Sequence, residues 1–437
     1  MTQYPRGENR AIWARLFASS GGRRLPRAVR IVVLIVAVLA SGVYYHRAAR
    51  AWRAQRYAEE FTPENLKKAS ELEPGNAEYR YRIGRYSLLT QDFPSAIRDF
   101  QTAIALNPYD ARYWLDLASA YLASGDSEGE QRALARAAQA DPTTPEVIWQ
   151  TANYELVEGD TNEAMRRFRT LVEHNPESLP KVLNVCWRAV HDPAPILDAV
   201  LPPVPDAHLV FIRFLLSKRQ PKAAAQAWAH LIALKTPFTV QQTFPYFDYL
   251  FEHGDFTQAA DDWRQLAVPN PDFRAYVPDD NAIVNGGFEL DLLNGGLDWR
   301  YAPRTGSALV IDVNRSHSGT RSLAVTFDGA PEDAGIYQLV PVHANTRYQF
   351  SGYMMSEDLQ TVNPPRFSIR GLKSNANYVL TDGLQGTTPW QELDGEFTTG
   401  PADDLLLVKI ARKPSLIRGR LWVDDLKLLP QPAQESR

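Results

Sequence analysis

Few side chains in this sequence are spaced for covalent chemistry. It holds no His-Glu-x-x-His zinc pair, phosphate loop or dinucleotide glycine fingerprint. His174 and His191 stand alone, and His253 sits in a Gly-Asp turn. The one cysteine, Cys186, lies in the apolar run KVLNVCWRAV. It permits no intrachain disulfide and no thiolate metal site, and it reads as a small buried residue. The expectation is a chain that is not an enzyme. The remaining candidates are residue types for non-covalent contact. Trp299, Tyr301, Tyr353, Tyr378 and Trp390 could stack on pyranose rings, beside Asn, Asp, Gln or Arg side chains that bond hydroxyls. Tyr353 is opposite in parity to Tyr348 and Phe350, so one of those sets faces outward on a strand.

These aromatics fall in a region whose apolar pattern has period two. From Ala282 onward, candidate strands are SALVIDV, RSLAVTF, GIYQLVPV, TRYQFSGYMM, RFSIRGL, NYVL, WQELDGEF, LLLVKIA and RLWVDDLKLL. Turn residues such as Gly329, Asn345, Asp382-Gly383 and Gly400 separate them. Short strands at this spacing predict an all-β sandwich over 280–431, with a tail at 432–437.

The segments NGGFE, GLDW, SHSGTRSLAV, YQLVPVHANTRYQFSGYM, WQELDGEFTT and WVDDLKL follow one another in order. The series resembles the galactose-binding-like jelly roll of the carbohydrate-binding modules attached to xylanases and cellulases. The resemblance runs from about Asn281 to Pro430 and makes NGGFE the first strand. It implies glycan affinity. It also implies a structural calcium, held by the acidic residue of the first strand and an Asp of the last, here Glu289 and the pair Asp424-Asp425. Alternation places Asp424 with Leu426 and Leu428 on the apolar side. An inward carboxylate needs a partner, supplied by a hard cation, a hydrogen bond or a salt bridge. Trp299 and Trp390 fall where the family often has core residues.

The region before it has a different period. Pro74, Pro108, Pro142 and Pro176 recur every 34 residues. Ala96, Phe100 and Ala103 in one unit match Leu134 and Ala137 in the next, then Ala164, Phe168 and Leu171. Upstream stand Gly84, then Trp114, Ala118 and Tyr121, then Ala152, with Gly125-Asp126 and Gly159-Asp160 at the breaks. This resembles the tetratricopeptide repeat. Small residues let the helices of a hairpin approach, large ones fill the gaps, and Pro ends the second helix. Glu130 occupies a normally small position, which predicts a looser second hairpin. HDPAPILDAVLPPVPDAH reads as a Pro-rich interruption, after which two weaker units run to Pro271. The all-α solenoid is expected over 47–275, its concave face taking a protein partner.

The first 60 residues carry eleven Arg, no Lys and three Glu, whereas the whole chain has a net charge of −4. Beyond the head the chain is therefore acidic, which argues against nucleic acid as partner. A basic segment at 1–30 precedes an apolar segment at 31–46, with Arg30 and Arg47 at its ends and Tyr44, Tyr45 and Trp52 nearby. This pattern predicts one transmembrane helix, N-terminus in the cytoplasm and the bulk outside, the alternatives being a cleaved signal peptide and a core helix. The expected protein is a single-pass inner-membrane scaffold of a bacterial envelope. Its repeats would hold a protein and its sandwich a glycan, in surface-polysaccharide assembly or export. The alternative is a protein-only assembly scaffold whose sandwich is a docking module.

Overall fold

The structure is a computed structural model that describes residues 27–277, 279–330 and 333–432. Most of the expected basic segment, 1–26, and most of the tail, 433–437, lie outside the described residues. The chain forms two compact units, Met1–Gly159 and Asp160–Arg437.

The first unit is helical: α1 (Arg27–Ala58), α2 (Pro63–Leu72), α3 (Ala77–Leu89), α4 (Phe93–Leu106), α5 (Ala111–Ser124), α6 (Ser127–Ala140) and α7 (Pro145–Glu158). The 34-residue period reaches the helix ends. Asn76 and Asp110 cap successive first helices, and Asp92 and Asp126 cap successive second helices, each accepting an N–H two or three residues on. Gly125 ends α5 in the left-handed conformation, at φ 82°. Ala96, Phe100 and Ala118 are buried as the repeat requires, and Phe100 lies across Gly84, where an added Cβ would meet its ring at 2.7 Å. Trp114 and Tyr121 pack at the edge of this core.

At the second hairpin the small position moves by one residue. Gly129 is buried against Tyr121, so Glu130 turns to the side. There it lines a cleft of 420 Å³ with Leu122, Leu134, Trp149, Tyr154 and Val157. Burial first, and then Glu158, raises the Glu130 carboxyl.

α1 does not stop where the apolar run ends. It is one continuous helix, long and apolar enough to cross a membrane. Its last turns bury Ala54 and Ala58 against Leu66, Ala69 and Tyr79. The membrane candidate and the first helix of the repeat stack are thus the same element.

The second unit opens with α8 (Thr161–His174), α9 (Leu179–Val190), α10 (Pro193–Ala199), α11 (Pro205–Ser217), α12 (Pro221–Ala233), α13 (Phe244–His253) and α14 (Phe256–Gln265). Ala164 and Phe168 are fully buried in α8, and Cys186 is buried in α9. The Pro-rich stretch is no interruption, because it forms α10 and starts α11. Pro193 and Pro205 stand in the first turns, where a missing N–H costs nothing.

Among the described residues ten strands follow: β1 (Arg300–Tyr301), β2 (Ser307–Asp312), β3 (Ser322–Gly329), β4 (Asp333–Pro341), β5 (Arg347–Thr361), β6 (Arg366–Gly371), β7 (Asn377–Leu380), β8 (Gly386–Thr398), β9 (Leu405–Ala411) and β10 (Ile417–Pro430). They make two five-stranded antiparallel sheets, ordered β1-β4-β9-β6-β7 and β2-β3-β10-β5-β8. Phe288, Trp299, Phe327, Phe350, Phe367 and Leu428 are among the side chains filling the core between them. Each such burial contributes about 1.5–3 kcal/mol.

The first segment departs from expectation. NGGFE is not a strand but a run of turns, with Asn285 and Phe288 at positive φ. It still lies beside β10: Ala282 N donates to Leu428 O, and Leu426 N to Gly286 O. A Cβ on Gly286 would lie 2.1 Å from that Leu426 carbonyl, so only glycine permits the approach.

Within this unit the helices seat directly on the sandwich. Gly295 lies under Phe244 and Gly296 under Trp263. Arg300 Nη2 donates to Asp248 Oδ1 at 2.7 Å, and its guanidinium lies over the Phe251 ring. Trp263 Nε1 donates to Tyr276 O, and Tyr276 Oη in turn donates to Asp291 O.

Candidate functional site

Strand parity decides which aromatics are available. In β5, Tyr348 and Phe350 point into the core, so Tyr353 points outward. It pairs with Asp424 of β10 on one side and Glu392 of β8 on the other. The loop between β2 and β3 lays the His317 ring flat on Tyr353, with centroids 3.6 Å apart and planes 12° apart. Trp390 of β8 meets the same imidazole edge-on at 5.8 Å. The exposed His317 and the half-buried Tyr353 and Trp390 thus form one aromatic group on the outer face of the second sheet. Burial first, and then Glu392, raises the Tyr353 hydroxyl.

One row along the sheet, Trp422 faces outward between the inward Leu421 and Val423. It is 1% exposed because Arg315 and Arg420 cover its ring, with guanidinium carbons 4.6 and 5.5 Å from the centroid. Both arginines reach Glu357, at 3.4 and 2.8 Å, and Trp422 Nε1 donates to Asp312 Oδ2 at 2.8 Å. The face therefore offers ring edges, guanidinium donors and carboxylate acceptors together. That combination suits a ligand with both apolar ring faces and hydroxyls. His317, Glu357, Glu392, Arg315, Arg420 and Trp422 belong to this face and were not singled out in the sequence. Alternation in RLWVDD carried the signal for Trp422, whereas the others needed the cross-strand register.

The other expected contact residues are elsewhere. Trp299 is a correction: it is 1% exposed, stacks near Phe288 and donates Nε1–H to Asn285 O. The turns of 285–298 fold its ring into the core. Tyr378 is also taken up. It stacks on Phe397 and its hydroxyl donates to Asp403 at 2.5 Å. Tyr301 is 38% exposed but belongs to β1, in the first sheet. Only Tyr353 and Trp390, of the five, are brought to one place.

Beside the aromatic group lies the carboxylate corner. Glu289 accepts from Thr320 N at 2.8 Å, Thr320 Oγ1 at 2.8 Å and Arg321 N at 3.0 Å. Asp424 accepts from His317 N, Ser318 N and Asp425 N, at 2.8, 3.2 and 2.7 Å. Asp425 holds His317 Nδ1 at 2.6 Å and Ser318 Oγ at 2.9 Å. Every oxygen of the three carboxylates thus has a protein donor from this loop or from β10. Against the cost of burial, the N–H groups of Thr320 and Arg321 hold Glu289 below the usual carboxylate range. Burial raises Asp424 despite its three donors.

Asp424 is not on the apolar side with Leu426 and Leu428. A bulge between Asp424 and Lys427, with Asp425 at φ 51°, reverses parity there. The loop then covers Asp424 completely. The three residues do surround Gly287, whose Cβ would lie 3.8 Å from Asp424 Oδ1 and from Asp425 Oδ1 and 3.9 Å from Glu289 Cγ. Their oxygens are engaged by the loop, and among the described residues no group of three or more His, Cys, Asp or Glu side chains is arranged to hold a metal.

No curated protein matches the chain. Among solved structures, similarity is found to MamA at 13% identity, covering 40% of this chain and 86% of that one, with a TM-score of 0.26. The CBM22-1 xylan-binding domain from Paenibacillus barcinonensis Xyn10C is similar at 17% identity, covering 34% and 93%, with a TM-score of 0.24. A family 16 carbohydrate binding module is similar at 24% identity, covering 34% and 99%, with a TM-score of 0.25. The sandwich, over residues 280–415, matches the model of the family described as carbohydrate binding domain.

Proposed function

We propose that this protein is a membrane-anchored, non-catalytic scaffold of the bacterial envelope that contacts glycan through the outer face of its second sheet. The observation that carries the reading is the His317–Tyr353–Trp390 group beside the Arg315 and Arg420 guanidiniums that cover Trp422, in a domain of a carbohydrate-binding family. The repeats would hold a protein partner, and the cleft beside Glu130 offers an apolar floor with a carboxylate rim. Surface-polysaccharide assembly or export is the role that joins a glycan module, a protein-binding array and an anchor in one chain.

The test is affinity electrophoresis of the full-length chain through gels containing neutral polysaccharides. Retardation should fall about tenfold in Tyr353→Ala and in Trp390→Ala, a loss of roughly 1.4 kcal/mol each. Tyr301→Ala should migrate as the parent does. No retardation by any glycan, with the fold intact, would favour the protein-docking reading of the sandwich.

Calcium at the carboxylate corner is proposed on the resemblance alone. A melting temperature raised by calcium over chelator, with the difference abolished in Asp424→Ala, supports the ion. Equal melting in both leaves the corner to its hydrogen bonds.

A further inference from the structure

The cleft between α1 and the first repeat turns has a place and a charge pattern that the glycan and protein contacts leave unused. It measures 960 Å³ and is lined by Tyr44, Arg47 and Ala51 of α1, by the 72–78 turn, and by Asn107 and Tyr113. Its height along α1 is fixed by contacts. Arg50 donates through Nε and Nη2 to Leu72 O at 3.2 and 2.5 Å, so the end of α2 is level with Arg50. The uncharged run Ile31–Tyr45 spans about 22 Å at 1.5 Å per residue, which is less than a hydrocarbon core of about 30 Å. The apolar boundary therefore falls at or beyond Tyr45. Arg50 is five residues further on, about 7 Å up the helix, within a headgroup layer of about 5–8 Å. If α1 spans the membrane, the turn at 73–76 and the mouth of this cleft sit among lipid headgroups.

The charges in the cleft are of both signs and unequally engaged. Arg47 is exposed and has no protein partner among the described residues. Glu78 is already met by Arg82, Arg112 and Tyr113. Glu73 has only neutral donors against it, Asn76 and Tyr79. An unpaired guanidinium and a carboxylate met only by neutral donors thus line one cleft. A purely anionic headgroup would satisfy Arg47 and set its negative charge against Glu73. A headgroup carrying phosphate and a primary ammonium satisfies both.

We infer that this cleft binds the headgroup of a phosphatidylethanolamine-type lipid, its phosphate on Arg47 and its ammonium on Glu73. The inference rests on the membrane-spanning reading of α1. Bound lipid would fix the angle of the first hairpin to the bilayer, because α1 is continuous through both.

The full-length chain, purified in mild detergent, is equilibrated with mixed micelles of equimolar phosphatidylethanolamine and phosphatidylglycerol, and the retained lipid is measured by mass spectrometry. Preferential retention of phosphatidylethanolamine is expected, falling about tenfold in Arg47→Ala and in Glu73→Gln. Both variants should keep the parent circular dichroism and still float with vesicles after an alkaline wash. Equal retention of the two lipids, a preference for phosphatidylglycerol, or unchanged selectivity in both variants overturns the inference while leaving the anchor in place. A parent chain that fails to float overturns the spanning reading, and this inference with it.

Discussion

At the scale of single residues, the least comfortable group is Asp298. It is fully buried beneath Trp299, accepts from Leu293 N at 2.7 Å through Oδ2, and leaves Oδ1 without a partner. Burial pushes its carboxyl up to about 7. Below an unfolded value of about 4 the proton is bound in both states, and stability is unaffected by pH. As pH rises from there through about 7, the unfolded chain ionises and the folded one resists. Stability is therefore lost across that window. Asp298→Asn should remove this slope and gain about 2–4 kcal/mol at pH 8, read as the melting temperature against pH. A slope that survives the substitution would place the titrating group elsewhere. The site residues divided on the same physics. Tyr353 could be placed outward from parity with Tyr348 and Phe350, because a strand alternates without exception until a bulge. Trp299 could not be placed, because the segment around it is a set of turns with no period to read.

At the scale of elements, the glycines of NGGFELDLLNGG explain why the sandwich begins with turns. Gly286 admits the β10 backbone, and Gly295 and Gly296 admit Phe244 and Trp263. Gly296 also has φ +59°, which a β-branched residue resists. Gly296→Val should thus cost about 2–4 kcal/mol through backbone strain and overpacking against Trp263. It should also open the 266–280 segment to protease. An unchanged melting curve and cleavage pattern would mean that the helices do not seat on the sandwich through this loop. The nine strand segments were readable because each alternates between core and surface. The two-residue β1 was too short to show a period. The helices α10 and α11 were hidden by prolines that look like breakers but stand in first turns.

At the scale of the whole molecule, the chain joins an apolar helix, a hairpin array and a carbohydrate-binding-family sandwich. The envelope reading makes a topological prediction. A reporter active only outside the cytoplasm, fused after Arg437, should be active, and a cytoplasm-only reporter at the same point should be silent. The reverse result would remove the export reading and leave the glycan face intact. Because α1 is both membrane candidate and first repeat helix, helix-breaking residues between Tyr45 and Ala54 act on anchor and array together.

The sequence alone determined what depends on period and composition. A 34-residue repeat dictates stacked hairpins, period two dictates strands, and an arginine-flanked apolar run dictates a candidate span. Each is a local pattern that reports which face is buried. Only the tertiary structure decided what depends on meeting. It brought His317 from a loop onto Tyr353, and covered Trp422 with Arg315 and Arg420. It turned Asp424 outward at a bulge, and matched three carboxylates to the backbone and side-chain donors of one turn. Those contacts join residues up to 108 positions apart, as His317 and Asp425 are. Register between strands, and the closure of a loop over them, are set by packing energies that no local pattern carries.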